Sequence, residues 1–283
     1  MTTNLNIQKF RKELRTIANT NSVELLGILN ITPDSFYDGG VYLSTNEAVL
    51  AGLQMIRDGA FIIDIGGQSS RPGAPTVSSD EEWLRIEPVI QGILKRKPEA
   101  FISVDTFWSD VAMKAVDAGA VLINDISAGQ IDSKMFQTIA DLKVPYVLMH
   151  MQGTPETMQE KPSYIDVVKD VKSFFEKKLL ELESLGIADV ILDPGFGFGK
   201  TVEDNFKLLS SLSQLKSFDK PILSGVSRKS MIYKTLECEA SQALNGTTAL
   251  NMISATNGAC LLRVHDIAEA REVSILHNHL CNK

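Results

Sequence analysis

The stretch DGAFIIDIGG at residues 58–67 joins a small-residue turn to a short apolar run, and the same plan recurs twice. DAGAVLINDISAG at 117–129 and NGACLLRVHD at 257–266 also pass from Gly-Ala into apolar residues and close on a polar cluster. Glycine readily takes the left-handed conformation that ends a helix, and an unbroken apolar run is typical of a strand buried on both faces. The repeated plan predicts βα units around a parallel sheet.

Apolar runs of this kind recur along the whole chain and predict eight strands. We place them at residues 25–30, 61–64, 101–105, 121–124, 146–150, 190–193, 222–224 and 260–264. No composition break divides the 283 residues. We therefore expect an α/β fold with a single (β/α)8 TIM barrel over residues 21–283, rather than two doubly wound domains. Residues 1–20 are predicted to form a short, helical N-terminal extension.

Composition and charge narrow the class of protein. Apolar residues make up 44% of the chain and charged residues 22%, a globular mix that argues against disorder or a coiled coil. Lys and Arg number 28 against 35 for Asp and Glu, so the net charge of −7 argues against nucleic acid as a partner. The three cysteines lack CxxC spacing, and no signal peptide or membrane span is recognisable. We expect a cytoplasmic protein without a membrane partner.

Polar side chains stand where the predicted strands end, which is where a (β/α)8 barrel carries its active site. In chain order they are Asn30, Asp64, Asp105, Asn124, His150, Asp193, Ser224, Arg263 and His265. Because side chains alternate along a strand, Arg263 and His265 share one face and are expected to aim at the barrel mouth. Any single carboxylate or amide could instead cap the following helix. Asp64 precedes another apolar residue and a glycine pair, so we assign it a structural hydrogen bond rather than a ligand.

A glycine-rich segment, DPGFGFGKT at 193–201, suggests a ligand-binding loop. It is not a P-loop, because Pro194 stands where that motif needs its first glycine. The glycines would let the backbone approach a flat ligand, with Asp193 at the base of the loop and Phe198 available for an apolar contact.

Two further segments bring cations to predicted strand ends. GVSRKS at 225–230 contains Arg228 and Lys229, and SSRPG at 69–73 contains Arg71. These side chains suit an anion or a carboxylate. The long loops that contain residues 31–43 and 67–79 are expected to form a lid.

The motifs taken together resemble those of the dihydropteroate synthase family of pterin-binding barrels, from about residue 24 to 267. The segments that carry the resemblance are GILNITPDSFYDGG at 27–40, DIGGQSSRPGA at 64–74, SVDT at 103–106, INDIS at 123–127, LMHMQGTPETMQ at 148–159, DPGFGFGKT at 193–201, GVSRKSMI at 225–232 and RVHD at 263–266. The resemblance implies that 6-hydroxymethyl-7,8-dihydropterin diphosphate loses pyrophosphate with magnesium bound, and that the amine of 4-aminobenzoate attacks the resulting pterin cation. It also implies a transferase of folate biosynthesis, a sulfonamide target and a homodimer.

The resemblance further implies a role for each residue at a matching position. The residues implied to be catalytic are Asp105, Lys229, Arg263, His265 and, in the first long loop, Asp38. The pterin would be bound by Asp105, Asn124, Asp193, Lys229 and Arg263. The pyrophosphate would be bound by Arg263 and His265, 4-aminobenzoate by Ser70, Arg71, Phe198 and Ser230, and magnesium by Asn30. These residue types fit, since a carboxylate and an amide match the polar edge of a pterin and a guanidinium plane tolerates stacking.

Three positions depart from the family pattern. Gln68 and Ser70 stand where the family commonly has Glu and Thr, and Tyr233 stands where it has Gly. Ser70 keeps the hydroxyl but lacks the methyl group, so we expect a slightly roomier aminobenzoate pocket.

Two alternatives stay open on the sequence. One is a pterin-dependent methyltransferase of the same superfamily, against which SSRPGA and SRKS argue, because a methyltransferase needs no pyrophosphate pocket. The other is a catalytically inactive pterin-binding paralogue, against which the presence of Asn30, Lys229 and Arg263 argues.

Overall fold

The structure is a computed structural model that describes residues 2–32, 44–68, 76–155, 157–158 and 162–281. Within these ranges the strands are β1 Glu24–Asn30, β2 Ile62–Gly66, β3 Phe101–Asp105, β4 Leu122–Asp125, β5 Tyr146–Met149, β6 Val190–Asp193, β7 Leu223–Ser224 and β8 Leu261–Val264. The α-helices are α1 Thr2–Thr20, α2 Thr45–Asp58, α3 Ser79–Arg96, α4 Ser109–Asp117, α5 Met135–Leu142, α6 Val167–Ser184, α7 Val202–Ser210, α8 Ser230–Thr235, α9 Leu244–Thr256 and α10 Ile267–Cys281. Two 3₁₀ helices span Leu212–Phe218 and Ala240–Gln242.

The strands pair in parallel and nearly close into a barrel. Their order is β6-β5-β4-β3-β2-β1-β8-β7, and one parallel bridge between Leu192 and Ile222 joins β6 to β7. The predicted (β/α)8 TIM barrel is confirmed, and each observed strand lies within two residues of its predicted position. The C-terminal ends of all these strands face the same side, which brings the polar strand ends together.

The three Gly-Ala pairs end their helices as predicted. Gly59, Gly119 and Gly258 follow α2, α4 and α9 with φ angles of 107°, 113° and 104°. In each pair the alanine N–H donates at 2.9 Å to the carbonyl of the residue five positions earlier. This bond closes the helix end and turns the chain directly into the next strand.

α1 covers the N-terminal end of the barrel. Its buried side chains recur at helical spacing: Ile7, Phe10, Leu14 and Ile17. The ring of Phe10 lies 6.0 Å from that of Phe61 and 5.3 Å from that of Phe101, at the starts of β2 and β3. The opposite end of the barrel is left for the loops and the polar strand ends. No helix in the ranges listed above is long and apolar enough to cross a bilayer.

Candidate active site

Arg263 joins two carboxylates at the C-terminal end of the barrel. Its Nε donates to Asp64 Oδ2 at 2.7 Å, and its Nη2 donates to Asp105 Oδ2 at 2.7 Å. Since β8 neighbours β1 in the sheet, the side chain reaches past β1 to meet both β2 and β3. The guanidinium is therefore held between two anions and cannot rotate without breaking both ion pairs.

Asp64 also orients Asn124. The Nδ2 group of Asn124 donates to Asp64 Oδ2 at 2.9 Å, the same oxygen that accepts from Arg263. Asp64 thus makes structural hydrogen bonds, as expected, but both go to candidate site residues. Oδ1 of Asp64 and Oδ1 of Asn124 are buried and have no hydrogen-bond partner in the described part of the chain. Buried acceptors without a donor are costly, so they indicate a place where a ligand supplies N–H groups. Asp64 therefore offers a ligand contact besides its structural bonds, which goes beyond the purely structural role expected from sequence.

Opposing electrostatic effects act on the carboxyl group of Asp105. Burial raises its pKa above the ordinary value, the charge of Arg263 opposes that shift, and the carboxylates of Asp64, Asp125 and Asp193 add to it. A buried acid among other acids and one shared cation is typical of a functional site. The residue is poised to stabilise positive charge on a bound ligand.

The strand-end residues are not helix caps, which removes the alternative explanation. The N-cap of α4 is Trp108, that of α5 is Lys134 and that of α7 is Thr201. None of these helices is capped by the polar residue at the end of the preceding strand, which is Asp105, Asn124 or Asp193.

The glycine-rich loop after β6 folds back onto the end of β5. Gly195, Gly197 and Gly199 have φ angles of 68°, 81° and 62°. A Cβ on Gly195 would lie 2.0 Å from the carbonyl oxygen of His150, so only glycine fits there. The glycines do permit a close approach, but the approach seen is to protein backbone. The N–H of Gly195 donates to Asp193 Oδ1 at 2.7 Å, which fixes this carboxylate at the base of the loop.

Lys229 meets this loop from the segment after β7. Its Nζ donates to the carbonyl oxygen of Phe196 and lies 4.5 Å from the centroid of the buried Phe198 ring. Burial lowers the pKa of Lys229 to about 8, while the carboxylate of Asp193 acts in the opposite direction. The amine is thus mostly protonated at neutral pH. The structure brings together Asp193, Phe198 and Lys229 as the sequence predicts.

His265 is held by Ser227. The distance between His265 Nδ1 and Ser227 Oγ is 3.0 Å. Burial, reinforced by the neighbouring charge of Arg263, lowers the pKa of His265 to about 4. The imidazole is neutral at neutral pH, so it would meet an anion as a hydrogen-bond donor and not as a cation.

Arg228 is engaged elsewhere, which corrects the expectation that it suits a ligand anion. Its Nε and Nη2 donate to the two carboxylate oxygens of Asp266 at 2.7 and 2.8 Å. Its Nη1 donates to the carbonyl oxygens of Ala240 and Ser241. The side chain braces the segment after β7 against the end of β8, and sequence could not show the bidentate partner.

Two of the predicted strand-end groups are also turned to structural partners. His150 is buried, and its Nδ1 lies 3.0 Å from Lys200 Nζ. Ser224 Oγ donates to Ser254 Oγ at 2.9 Å, between β7 and α9. Neither side chain joins the cluster around Arg263.

Asn30 ends β1 at the mouth of the barrel. Its Oδ1 and the Cβ of Asp105 each lie 3.5 Å from the point that a Cβ on Gly66 would occupy, so the two side chains flank this glycine. The described ranges contain no group of three His, Cys, Asp or Glu side chains arranged to hold a metal ion. One hard amide oxygen fits Mg²⁺ where a substrate supplies further oxygen ligands. The residues present therefore suit a substrate-dependent magnesium site.

The remaining predicted residues divide into two sets. Asp38, Ser70 and Arg71 lie outside the described residues, together with residues 33–43 and 69–75 of the two predicted lid loops. Ser230 is described: it begins α8 directly after Lys229 and is partly buried.

Two of the three departures from the family pattern lie in the described residues. Gln68 Oε1 accepts from the N–H of Val77 at 2.9 Å, a bond that needs only an acceptor oxygen and closes the base of the second loop. Tyr233 lies on α8 and is partly buried against the core.

Glu82 on α3 is a buried acid beside the site that sequence reasoning missed. Thr106 Oγ1 donates to Glu82 Oε2 at 3.2 Å, whereas Glu82 Oε1 is buried without a partner in the described residues. Burial, together with the charge of Asp105, raises the pKa of Glu82 to about 8. A signal was available, since Glu82 stands four residues before the buried Ile86 on the apolar face of its helix.

Known proteins resemble this chain in sequence and in fold. A family model described as "Pterin binding enzyme" matches residues 26–265. The dihydropteroate synthase of Escherichia coli K12 is 45% identical over 250 residues, covering 88% of each chain. The structure of Yersinia pestis dihydropteroate synthase in a sulfonamide drug complex is 40% identical with a TM-score of 0.89, over 93% of this chain and 96% of that one. That of Xanthomonas albilineans dihydropteroate synthase with 4-aminobenzoic acid is 39% identical with a TM-score of 0.85, over 92% and 94%.

The fold is that of a pterin-binding (β/α)8 barrel enzyme, and the chain belongs to that family. Its place within the family is among the dihydropteroate synthases, which are transferases of folate biosynthesis.

Proposed function

We propose that the chain condenses 6-hydroxymethyl-7,8-dihydropterin diphosphate with 4-aminobenzoate, giving 7,8-dihydropteroate and diphosphate. The observation that carries the proposal is the pair of buried oxygens on Asp64 and Asn124 that have no donor among the described residues, held beside the fixed guanidinium of Arg263. Adjacent acceptors next to a planar cation match a flat heterocycle with N–H groups along one edge. The pterin ring is such a heterocycle.

Asp193 and Lys229 complete the receptor for the pterin. Asp193 is fixed by the N–H of Gly195, and Lys229 stands on the adjacent loop with its amine mostly protonated. A carboxylate accepts from the amino and ring N–H groups, and an ammonium donates to the ring carbonyl. The two side chains thus recognise opposite polarities on one edge of the ligand.

The chemistry needs charge stabilisation more than a nucleophile. Departure of diphosphate leaves positive charge on the pterin, and the carboxylate of Asp105 lies in the same cluster of buried groups. Charges arranged in advance in a site of low dielectric act strongly on the transition state. Orientation of the attacking amine against the pterin supplies the remainder of the rate.

The diphosphate would meet Arg263 and His265 at the end of β8. Nη1 of Arg263 takes no part in the two ion pairs described above, and His265 is a neutral donor. Asn30 would hold magnesium through its amide oxygen. When bound together with the diphosphate, the metal ion neutralises charge on the leaving group.

The 4-aminobenzoate is assigned to Phe198 and Ser230, together with Ser70 and Arg71. Two relatives support binding of 4-aminobenzoate by this chain, because the Xanthomonas structure contains 4-aminobenzoic acid and the Yersinia structure contains a sulfonamide drug. We propose that this chain also binds both molecules, so that a sulfonamide competes with 4-aminobenzoate for one site. We also propose that the chain acts in the cytoplasm and that it forms a homodimer. Light scattering on a sizing column tests the dimer.

The test is product formation by purified protein. Dihydropterin diphosphate and magnesium are supplied with and without 4-aminobenzoate, and dihydropteroate is followed by chromatography. We expect product only when both substrates are present, and much less from Asn124→Ala than from an Asn257→Ala control, which lies outside the site. Folded wild-type protein that binds the pterin without making product would contradict the proposal and favour the methyltransferase or the inactive paralogue.

A further inference from the structure

Lys200 is a buried cation outside the set of predicted site residues. The residue lies near the end of the glycine-rich segment 193–201 and is only 3% exposed. The Nζ donates to the carbonyl oxygens of Gly195, Phe198 and His150 at 2.9, 3.1 and 3.3 Å. It also lies 3.0 Å from His150 Nδ1. One amine thus ties two points of the loop after β6 to the end of β5.

The number of acceptors indicates that this amine is an ammonium ion. Three carbonyl oxygens need three hydrogens, and a neutral amine has only two. Burial lowers the pKa of Lys200 to about 7, whereas the carboxylate of Asp193 raises it. His150 is neutral, since burial and the charge of Lys200 lower its pKa to about 2. Its Nδ1 is a fourth acceptor, so it shares one of the three ammonium hydrogens with a carbonyl oxygen.

The loop that Lys200 fixes carries two groups that meet Lys229. The carbonyl oxygen of Phe196 accepts from Lys229 Nζ, and the ring of Phe198 lies 4.5 Å from the same atom. Gly199 packs closely on the segment after β5: a Cβ on Gly199 would lie 2.4 Å from the carbonyl oxygen of Gln152. Lys200 and the glycines therefore act together to press the loop against residues 150–152.

A second anchor holds the other side of the same loop. Asn205 Oδ1 accepts from the N–H of Gly197 at 2.7 Å, and its Nδ2 donates to the carbonyl oxygen of Lys200 at 3.3 Å. The anchor at Asn205 does not reach the carbonyl of Phe198. Among the hydrogen bonds described, that carbonyl is fixed by Lys200 alone.

We propose that Lys200 is a positioning residue for 4-aminobenzoate, which acts by fixing the loop segment that carries the Phe198 ring. The proposal rests on the proposed function. Asp193, which belongs to β6 and is fixed locally by Gly195, depends less on this anchor. Loss of the ammonium group is therefore expected to harm the aminobenzoate subsite more than the pterin subsite.

The test is Lys200→Met, which keeps the length of the side chain and removes its donors. Steady-state kinetics give kcat and the KM for 4-aminobenzoate, and calorimetry without 4-aminobenzoate gives the Kd for the dihydropterin diphosphate. We expect the KM for 4-aminobenzoate to rise at least about tenfold, while the Kd for the pterin changes less than about threefold. Lys207→Met, on the exposed face of α7, is the matched control and should change neither value.

The outcomes separate the two proposals. Wild-type protein and Lys207→Met that make no dihydropteroate would overturn the proposed function, whatever Lys200→Met does. Active controls with an unchanged KM in Lys200→Met, or with equal losses at both subsites, would overturn the role of Lys200. If Lys200→Met does not fold, Lys200→Gln, which is shorter and retains two donors, replaces it with the same expectation. Failure of both variants to fold would assign Lys200 to stability alone and overturn the proposal.

Discussion

Asp64 and Arg263 form a 2.7 Å ion pair in which the carboxylate is completely buried and the guanidinium is 16% exposed. The same carboxylate oxygen accepts from Asn124, so one acid orients a cation from β8 and an amide from β4. Asp64 lies two residues deeper in the barrel than Asp105, since β2 and β3 align Asp64 with Ser103 and Gly66 with Asp105. Asp64 therefore orients two residues of the proposed pterin site.

Asp64→Asn is expected to lower the free energy of unfolding by about 3–5 kcal/mol, because Arg263 would lose one of its two buried anions. The affinity for the pterin should fall as well, since Asn124 and Arg263 lose a common partner. Urea unfolding and calorimetry measure the two effects. Asp58→Asn, at the exposed end of α2, serves as the control. Equal stability of the two variants would show that the ion pair is not needed.

Lys229→Ala should reduce kcat/KM by about a hundredfold or more, as expected when one preorganised donor is removed from an active site. The far-ultraviolet circular dichroism should not change, because the amine contacts a loop carbonyl and an aromatic face and no core position is emptied. Lys234→Ala, on the exposed side of α8, should retain full activity. Wild-type turnover in the Lys229 variant, or loss of its fold, would count against the assigned role.

Glu82→Gln should make stability less dependent on pH. Burial raises the pKa of Glu82 from 4.5 to about 8, so between these values the folded protein retains a proton that the unfolded chain has released. This contribution to wild-type stability is complete below pH 4.5 and is lost as the pH rises through about 8, at up to about 1.4 kcal/mol per pH unit. Urea unfolding from pH 5 to 8 measures the slopes. Identical slopes in the variant and the wild type would refute the assignment, and Glu176→Gln on the exposed face of α6 is the control.

Gly195→Ala and Gly186→Ala form a matched pair at left-handed positions. Both glycines have positive φ, 68° and 77°, so each alanine carries a backbone cost of about 1–2 kcal/mol. A Cβ on Gly186 meets nothing within 4 Å, whereas a Cβ on Gly195 would lie 2.0 Å from the His150 carbonyl oxygen. We expect Gly186→Ala to be active and Gly195→Ala to lose most of its activity. Comparable turnover in the two variants would contradict the packing of the loop against β5.

The barrel could be predicted from sequence because its signals are local. Each Gly-Ala pair sets a helix end within a few residues, and the apolar run that follows defines a strand whatever its neighbours are. The common side of the polar strand ends could be predicted for the same reason, since a parallel barrel turns them all to one side, although His150 and Ser224 bond structural partners there. The family resemblance that these motifs suggest is confirmed.

The partners of the polar groups could not be predicted in this way, because they depend on register and on distant contacts. Asp64 could be assigned a hydrogen bond but not its partners, since the partner Arg263 is 199 residues away. The interpretation of Arg228 as an anion site failed because Asp266 is a better partner, brought close only by the meeting of β7 and β8. The role of Lys200 could not be inferred from sequence, because its acceptors are mainly backbone carbonyls, which every residue has.

The single bridge between Leu192 and Ile222 makes one seam of the barrel weaker than the rest. β6 and β7 share that bridge alone among the described residues, whereas β1 and β2 are aligned over five residue pairs. The seam separates the strand that carries Asp193 from the segment that leads to Lys229. Local opening at this place would part the two halves of the proposed pterin receptor without unfolding the rest of the chain. We expect the amides of β7 to exchange with solvent before those of β1. The seam is therefore where we expect the barrel to open first, while the wall formed by β1 and β2 stays paired.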